Sequence, residues 1–188
     1  MDLKKYSCVY LIGIGGIGMS AIARYFVSEG FIVAGYDRTE SKLTHELEKE
    51  GCSVSYCEDT ETIPALFRNP SLINRVLVIY TPAIPPENRI MEFFRSNGYA
   101  ILKRSEVLGE ISSSTDTIAV AGTHGKTSIS TLSSHILLNS GYGCSAFLGG
   151  ISKNYNTNLL LSKSRFMVIE ADEYDRSFHR LSPFIALI

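Results

Sequence analysis

The chain has 188 residues, 45% hydrophobic and 20% charged, with a formal net charge of -1. A balance so near zero, without basic runs, argues against nucleic acid or an anionic membrane as the main partner, so local groups must hold any anionic ligand. No apolar stretch approaches the ~20 residues of a membrane span, and glycines break the opening "MDLKKYSCVYLIGIGGIG" too early for a secretory leader. A cytoplasmic protein without membrane insertion is expected. Its four cysteines, Cys8, Cys52, Cys57 and Cys144, form no C-x-x-C pair and read as buried free thiols of a reducing compartment.

In chain order the pattern alternates strand and helix. "CVYLIGI" is a buried strand, "GMSAIARYFVSEG" a helix stopped by Gly30, and "FIVAGYD" a second strand. "SKLTHELEKEG" is a helix capped by Ser41 and ended by Gly51. The strand "RVLVIYTPAI" ends at Pro82, "PENRIMEFFRSNG" is a helix, "AILK" a short strand and "SEVLGEI" a short helix. This βαβ rhythm predicts a parallel sheet covered on both faces.

The small polar run "SSSTD", residues 112–116, reads as a linker. A strand "TIAVAG", a loop and a long helix "KTSISTLSSHILLNSG" closed by Gly141 follow. "CSAFLGG" and "RFMVIEADE" read as further strands, and the chain stops in the strand-like "PFIALI". The predicted fold class is α/β: a Rossmann-like parallel-sheet domain over 1–113, then the start of a P-loop α/β domain over 114–188 that looks cut short.

Three motifs carry chemistry. "GIGGIG", residues 13–18, satisfies G-x-G-x-x-G between a strand and a helix. Glycines allow the tight turn and close backbone approach, and the helix N-terminus offers free N–H groups and about half a positive charge. Asp37, at the end of the second strand, can accept from ribose hydroxyls. The motif fits any ribose-linked diphosphate; a dinucleotide-dependent oxidoreductase or a nucleotide-sensing module remains open at this point. A ligand-free glycine turn is the plain alternative.

The second motif is "AGTHGKTS", where the full G-x-x-x-x-G-K-[ST] pattern would want glycine at the place of Val120. Gly122 supplies a later bend. Gly125, Lys126 and Thr127 can wrap a phosphate, with Lys126 neutralising it, Thr127 binding Mg²⁺ and His124 within reach of a ligand. The third is "FMVIEADEYDRSF", in which Glu170 ends an apolar strand and Asp172, Glu173 and Asp175 follow. Carboxylates there can hold Mg²⁺, Glu170 foremost, although a solvated acidic loop would look similar. A second phosphate loop is of no use to hydride transfer. His45, His135 and His179 have no visible partner set.

Together "GIGGIGMSAIA", "GYD", "YTPAIP", "KRSEVLGEI", "AGTHGKTS", "LGG" and "EADEYDRSF" resemble the Mur ligase family over essentially the whole chain. That family's shortened G-x-x-G-K-[ST] loop accounts for Val120. The resemblance implies that Gly15, Gly16, Ile17 and Gly18 meet the diphosphate of a UDP-sugar, with Asp37, Thr81, Pro82 and Ala83 near its nucleotide or sugar. It implies ATP at Gly122, Thr123, His124, Gly125, Lys126, Thr127 and Ser128, and Mg²⁺ at Thr127 and Glu170, with Lys126 and Glu170 as catalytic residues. The expected reaction is ATP-dependent ligation of L-alanine to the lactyl carboxylate of UDP-N-acetylmuramate through an acyl phosphate; a murein tripeptide is the rival acceptor. The family's third domain has no counterpart here, so the chain alone is expected to bind UDP-sugar without turnover.

Overall fold

The computed structural model describes residues 2–171 and 181–188. The chain folds as two compact units, Met1–Arg104 and Ser105–Ile188, each with its own sheet.

The first unit is built on β1 (Cys8–Ile12), β2 (Ile32–Tyr36), β3 (Ser53–Ser55), β4 (Val76–Tyr80) and β5 (Ala100–Lys103). Their order is β3-β2-β1-β4-β5, every pair parallel. β1 is buried at every position, as a central strand covered on both faces must be. Its helices are α1 (Ile17–Ser28), α2 (Lys42–Lys49), the short α3 (Ala65–Arg68) and α4 (Arg89–Ser96). Tyr10 of β1 packs against Phe67 of α3 and Phe94 of α4, with ring centroids 5.5 and 4.8 Å apart, and Tyr99 closes the cluster by donating its hydroxyl to the Phe67 carbonyl. Phe67 and Phe94, both almost fully buried, each contribute about 1.5–3 kcal/mol.

The helix ends follow local chemistry. Ser41 and Thr44 form a reciprocal capping box on α2, and the Asn88 side chain accepts from the Met91 N–H on α4. Gly30, Gly51 and Gly141, read as helix stops, all take positive φ.

The second unit contains α5 (Arg104–Ser112, whose first residue belongs to the first unit), β6 (Asp116–Val120), α6 (Lys126–Asn139), β7 (Ser145–Ser152), β8 (Thr157–Leu160), β9 (Phe166–Glu170) and β10 (Ile185–Leu187). The order is β10-β6-β9-β7-β8, parallel except for the antiparallel edge strand β8. The polar run read as a linker overlaps the end of α5 and the start of β6. β3 and β8 have no counterpart in the sequence expectation; both are short, and β3 is polar.

Candidate functional site

In the first sheet the connections leave β1 in both directions, toward β2 and β3 on one side and β4 on the other. Such a switch point opens a crevice at the carboxyl ends of the strands, the usual ligand position in open α/β sheets. A cavity of ≈ 710 Å³ lies there. Gly13 and Gly16 reach it from the β1 turn, Asp37 and Arg38 from the end of β2, Tyr56, Cys57 and Glu58 from the end of β3, and Thr81, Ala83, Ile84 and Pro85 from the turn after β4.

Of the residues expected at this site, Gly16, Asp37, Thr81 and Ala83 line the cavity. Gly15 donates its N–H to Asp37 Oδ2 at 2.7 Å, and Asp37 Oδ1 accepts from the Thr39 N–H. The carboxylate therefore braces the glycine turn as well as facing the cavity. A Cβ on Gly15 would stand 2.8 Å from both Asp37 Oδ2 and Thr44 Cγ2, so any larger residue there would push these side chains aside and disturb the brace. Gly16 is the N-cap of α1, and Ile17 and Gly18 form its first turn, with the Arg104 guanidinium lying against Gly18. Pro82 sits in the turn between Thr81 and Ala83.

Sequence reading missed the opposite wall. Glu58 Oε1 accepts from the Arg89 N–H at the start of α4, and its charge adds to burial in raising the Tyr36 phenol. The three-residue β3 that delivers Tyr56, Cys57 and Glu58 carries no apolar run that would reveal it.

In the second unit β6 runs to Val120, fully buried and in register with Glu170 on β9. The chain bends only at Gly122, with φ 125°, and Gly125 at φ 82° is the N-cap of α6. The strand therefore occupies the place where a longer loop would carry its first glycine. Thr123, His124, Gly125, Thr127 and Ser128 are exposed and Lys126 is half-buried. The Lys126 ammonium donates to the Gly122 carbonyl at 2.7 Å.

Glu170 projects from the end of β9 toward the first turns of α6. Its Oε2 accepts from Thr127 Oγ1 at 3.1 Å, and its Oε1 accepts from Ser130 Oγ at 2.9 Å and the Gly149 N–H at 2.7 Å. The sequence pointed to Thr127 and Glu170 but not to Ser130 or Gly149. A hydroxyl and a carboxylate oxygen in contact are hard donors that fit Mg²⁺, which takes one or two protein ligands and completes its shell with phosphate oxygens and water. Asp172, Glu173 and Asp175 lie outside the described residues. A smaller cavity of ≈ 320 Å³ adjoins Thr127 and Ser128, with His135 and Lys153 on its walls. His135 contacts the Tyr155 hydroxyl, and His45 lies 3.0 Å from both Glu40 and Glu48 on the surface of α2.

These features define a class: an α/β protein with a Rossmann-type glycine turn in one unit and a G-x-x-G-K-T turn in the next, each at the carboxyl end of its sheet. The chain belongs to the Mur ligase family, whose catalytic-domain model matches residues 9–115. It is 56% identical to the UDP-N-acetylmuramate–L-alanine ligase of Phocaeicola vulgatus, over 100% of this chain and 41% of that protein. It is likewise 56% identical to the enzyme of that name from Porphyromonas gingivalis, over 96% of this chain and 39% of that protein. The chain thus spans about two fifths of the length of these relatives.

Two crystal structures are among the solved structures to which the chain is similar. The UDP-N-acetylmuramate–alanine ligase of Thermotoga maritima is 29% identical with a TM-score of 0.83, over 93% of this chain and 39% of that one. The UDP-N-acetylmuramate:L-alanyl-gamma-D-glutamyl-meso-diaminopimelate ligase of Neisseria meningitides is 25% identical with a TM-score of 0.86, over 96% and 59%. Among the described residues no helix is long and apolar enough to cross a membrane.

Proposed function

We propose that the chain is the nucleotide-handling part of an ATP-dependent ligase joining L-alanine to the lactyl carboxylate of UDP-N-acetylmuramate, in peptidoglycan precursor synthesis. The observation that carries this reading is the pair of phosphate-type turns, one in each unit. The first unit, taken as 1–113, holds the UDP part: diphosphate at Gly16 and the first turn of α1, ribose toward Asp37. Because β3 lies beyond β2 in the sheet, the base falls toward Tyr56 and Glu58, and the sugar toward the β4 turn. The second unit, taken as 114–188, holds ATP at residues 122–128, and its Thr127 and Glu170 would hold Mg²⁺. The names of the relatives favour L-alanine as the acceptor; the likeness to the tripeptide-adding structure keeps that acceptor as the second reading.

A carboxylate is a poor electrophile. Phosphorylation by ATP makes one of its oxygens a leaving group, and the amine of L-alanine then displaces phosphate. Bound Mg²⁺ would supply charge neutralisation on the transferred phosphoryl group. Lys126 would leave the Gly122 carbonyl for phosphate oxygens. Its charge near the site of developing negative charge lowers the barrier more than it tightens ground-state binding. The reading carries a cytoplasmic location with it.

Calorimetric titration with UDP-N-acetylmuramate, with NADH for comparison, tests the first-unit assignment. Heat from the UDP-sugar alone is expected; heat from NADH alone would return the first unit to the oxidoreductase reading. L-alanine against the murein tripeptide as acceptor, in the full-length enzyme, decides the second question.

A further inference from the structure

The "LGG" run, residues 148–150, has no role so far, yet it lies directly against Glu170. Gly149 is exposed in the middle of β7, where the β7–β8 register slips between Phe147 and Ser152. No positive φ explains its being glycine. Space does: a Cβ there would stand 2.3 Å from Glu170 Oε2 and 2.8 Å from its Cδ. Meanwhile the Gly149 N–H reaches Oε1 at 2.7 Å. On the other side, Ser130 is fully buried one turn after Thr127. Its hydroxyl has one proton and two acceptors in reach, Glu170 Oε1 at 2.9 Å and the Thr127 carbonyl at 3.1 Å. The charged and nearer acceptor takes it, because hydrogen bonds to ionised groups are shorter and about twice as strong.

The two oxygens of Glu170 are therefore unequal. Oε1 is held by two donors from two elements, while Oε2 faces the exposed Thr127 hydroxyl. We propose that Ser130 and Gly149 are positioning residues of the divalent-cation site, fixing Glu170 by Oε1 so that Oε2 is presented beside Thr127. This rests on the ATP–Mg²⁺ reading of the second unit and adds to it two residues that touch neither metal nor nucleotide. Fixing the carboxylate before the cation arrives removes the cost of ordering its rotamers on binding, the general benefit of preorganisation.

The test uses Mn²⁺ as a paramagnetic stand-in. Water-proton relaxation of Mn²⁺–ATP is titrated with the chain, and metal-free ATP binding is measured in parallel by calorimetry in chelator. Ser130→Ala is expected to weaken the ternary Mn²⁺ complex about tenfold, the loss of one hydrogen bond to a charged group. Ser130→Thr, which keeps the hydroxyl, restores it. Gly149→Ala clashes only with the movable end of the Glu170 side chain, so the fold survives while the carboxylate is displaced; its cation affinity falls at least as far. Metal-free ATP binding and the melting temperature stay near wild type in Ser130→Thr and Gly149→Ala. Variants that bind Mn²⁺–ATP like wild type overturn the positioning role alone. So does a parallel loss of metal-free binding, which would mark the two residues as merely structural. A wild-type chain that binds no Mn²⁺–ATP overturns the ATP reading, and the positioning role falls with it.

Discussion

Cys57 is exposed and lines the first-unit cavity, while Cys8, Cys52 and Cys144 are buried. Burial, with the Glu50 charge adding to it, pushes the Cys52 thiol up to about 12. Thiolate is the reactive form, so a buried thiol with a raised pKa is inert. Iodoacetamide at neutral pH is therefore expected to label Cys57 first, read by mass spectrometry of peptides. Saturating UDP-N-acetylmuramate should slow that labelling several-fold; an unchanged rate would place the ligand away from the β3 wall. Cys52 has a second consequence, in alkali. In the unfolded chain its thiol titrates near its ordinary 9.0, so above that pH the unfolded chain has given up a proton that the folded chain keeps. The Cys52 contribution to stability is thus complete below about pH 9 and is lost as pH climbs toward 12. Cys52→Ala should flatten urea-denaturation stability against pH in that window. Expecting all four cysteines to be alike and buried overlooked Cys57, because only the fold shows that it follows β3 at a cavity rim. Asp37 was legible because it ends a recognisable strand after a glycine turn. Its brace on the Gly15 amide was not, since that bond spans 22 residues and depends on how two turns meet.

At the level of elements, capping chemistry makes a comparison. Ser41 caps α2 on a partly exposed surface, whereas Asn88 caps α4 and is itself buried. Removing a side-chain cap costs about 0.5–2 kcal/mol, and the cost rises when the abandoned N–H has no water to turn to. Ser41→Ala is expected near the low end and Asn88→Ala near the high end, measured as urea midpoints at constant slope. Equal losses would mean that burial of the cap is immaterial. The helices were legible because Ser41, Gly30, Gly51 and Gly141 mark their ends. β3 and β8 were not. "SVS" offers three residues with one apolar side chain, and "TNLL" lies on the sheet edge, where pairing rather than pattern makes the strand. Both strands owe their existence to tertiary neighbours. With β3 went the sequence's view of Tyr56 and Glu58, so half the cavity wall stayed hidden while its glycine side was plain.

For the chain as a whole, the proposed function places one ligand on each of the two sheets, and that division can be tested. A ligand that binds only the native state stabilises it by about 2.7 kcal/mol at a hundredfold excess over its dissociation constant. That stabilisation enters only the openings that destroy the ligand's own site, so amide exchange can assign it. UDP-N-acetylmuramate is expected to slow exchange across residues 8–16 and 32–37, which carry β1, its glycine turn and β2. ATP with Mg²⁺ is expected to slow it across residues 116–130 and 166–170, which carry β6, the G-x-x-G-K-T turn, the start of α6 and β9. Lys126→Ala removes one charged contact and should weaken ATP binding about tenfold, taking the second protection pattern with it and leaving the first unchanged. If the UDP-sugar instead protects residues 116–130, the glycine turn of the first unit is a packing device and the assignment of ligands to units is wrong. If Lys126→Ala abolishes both patterns, the two sites do not act separately, and the division of labour read from the two sheets fails at its base.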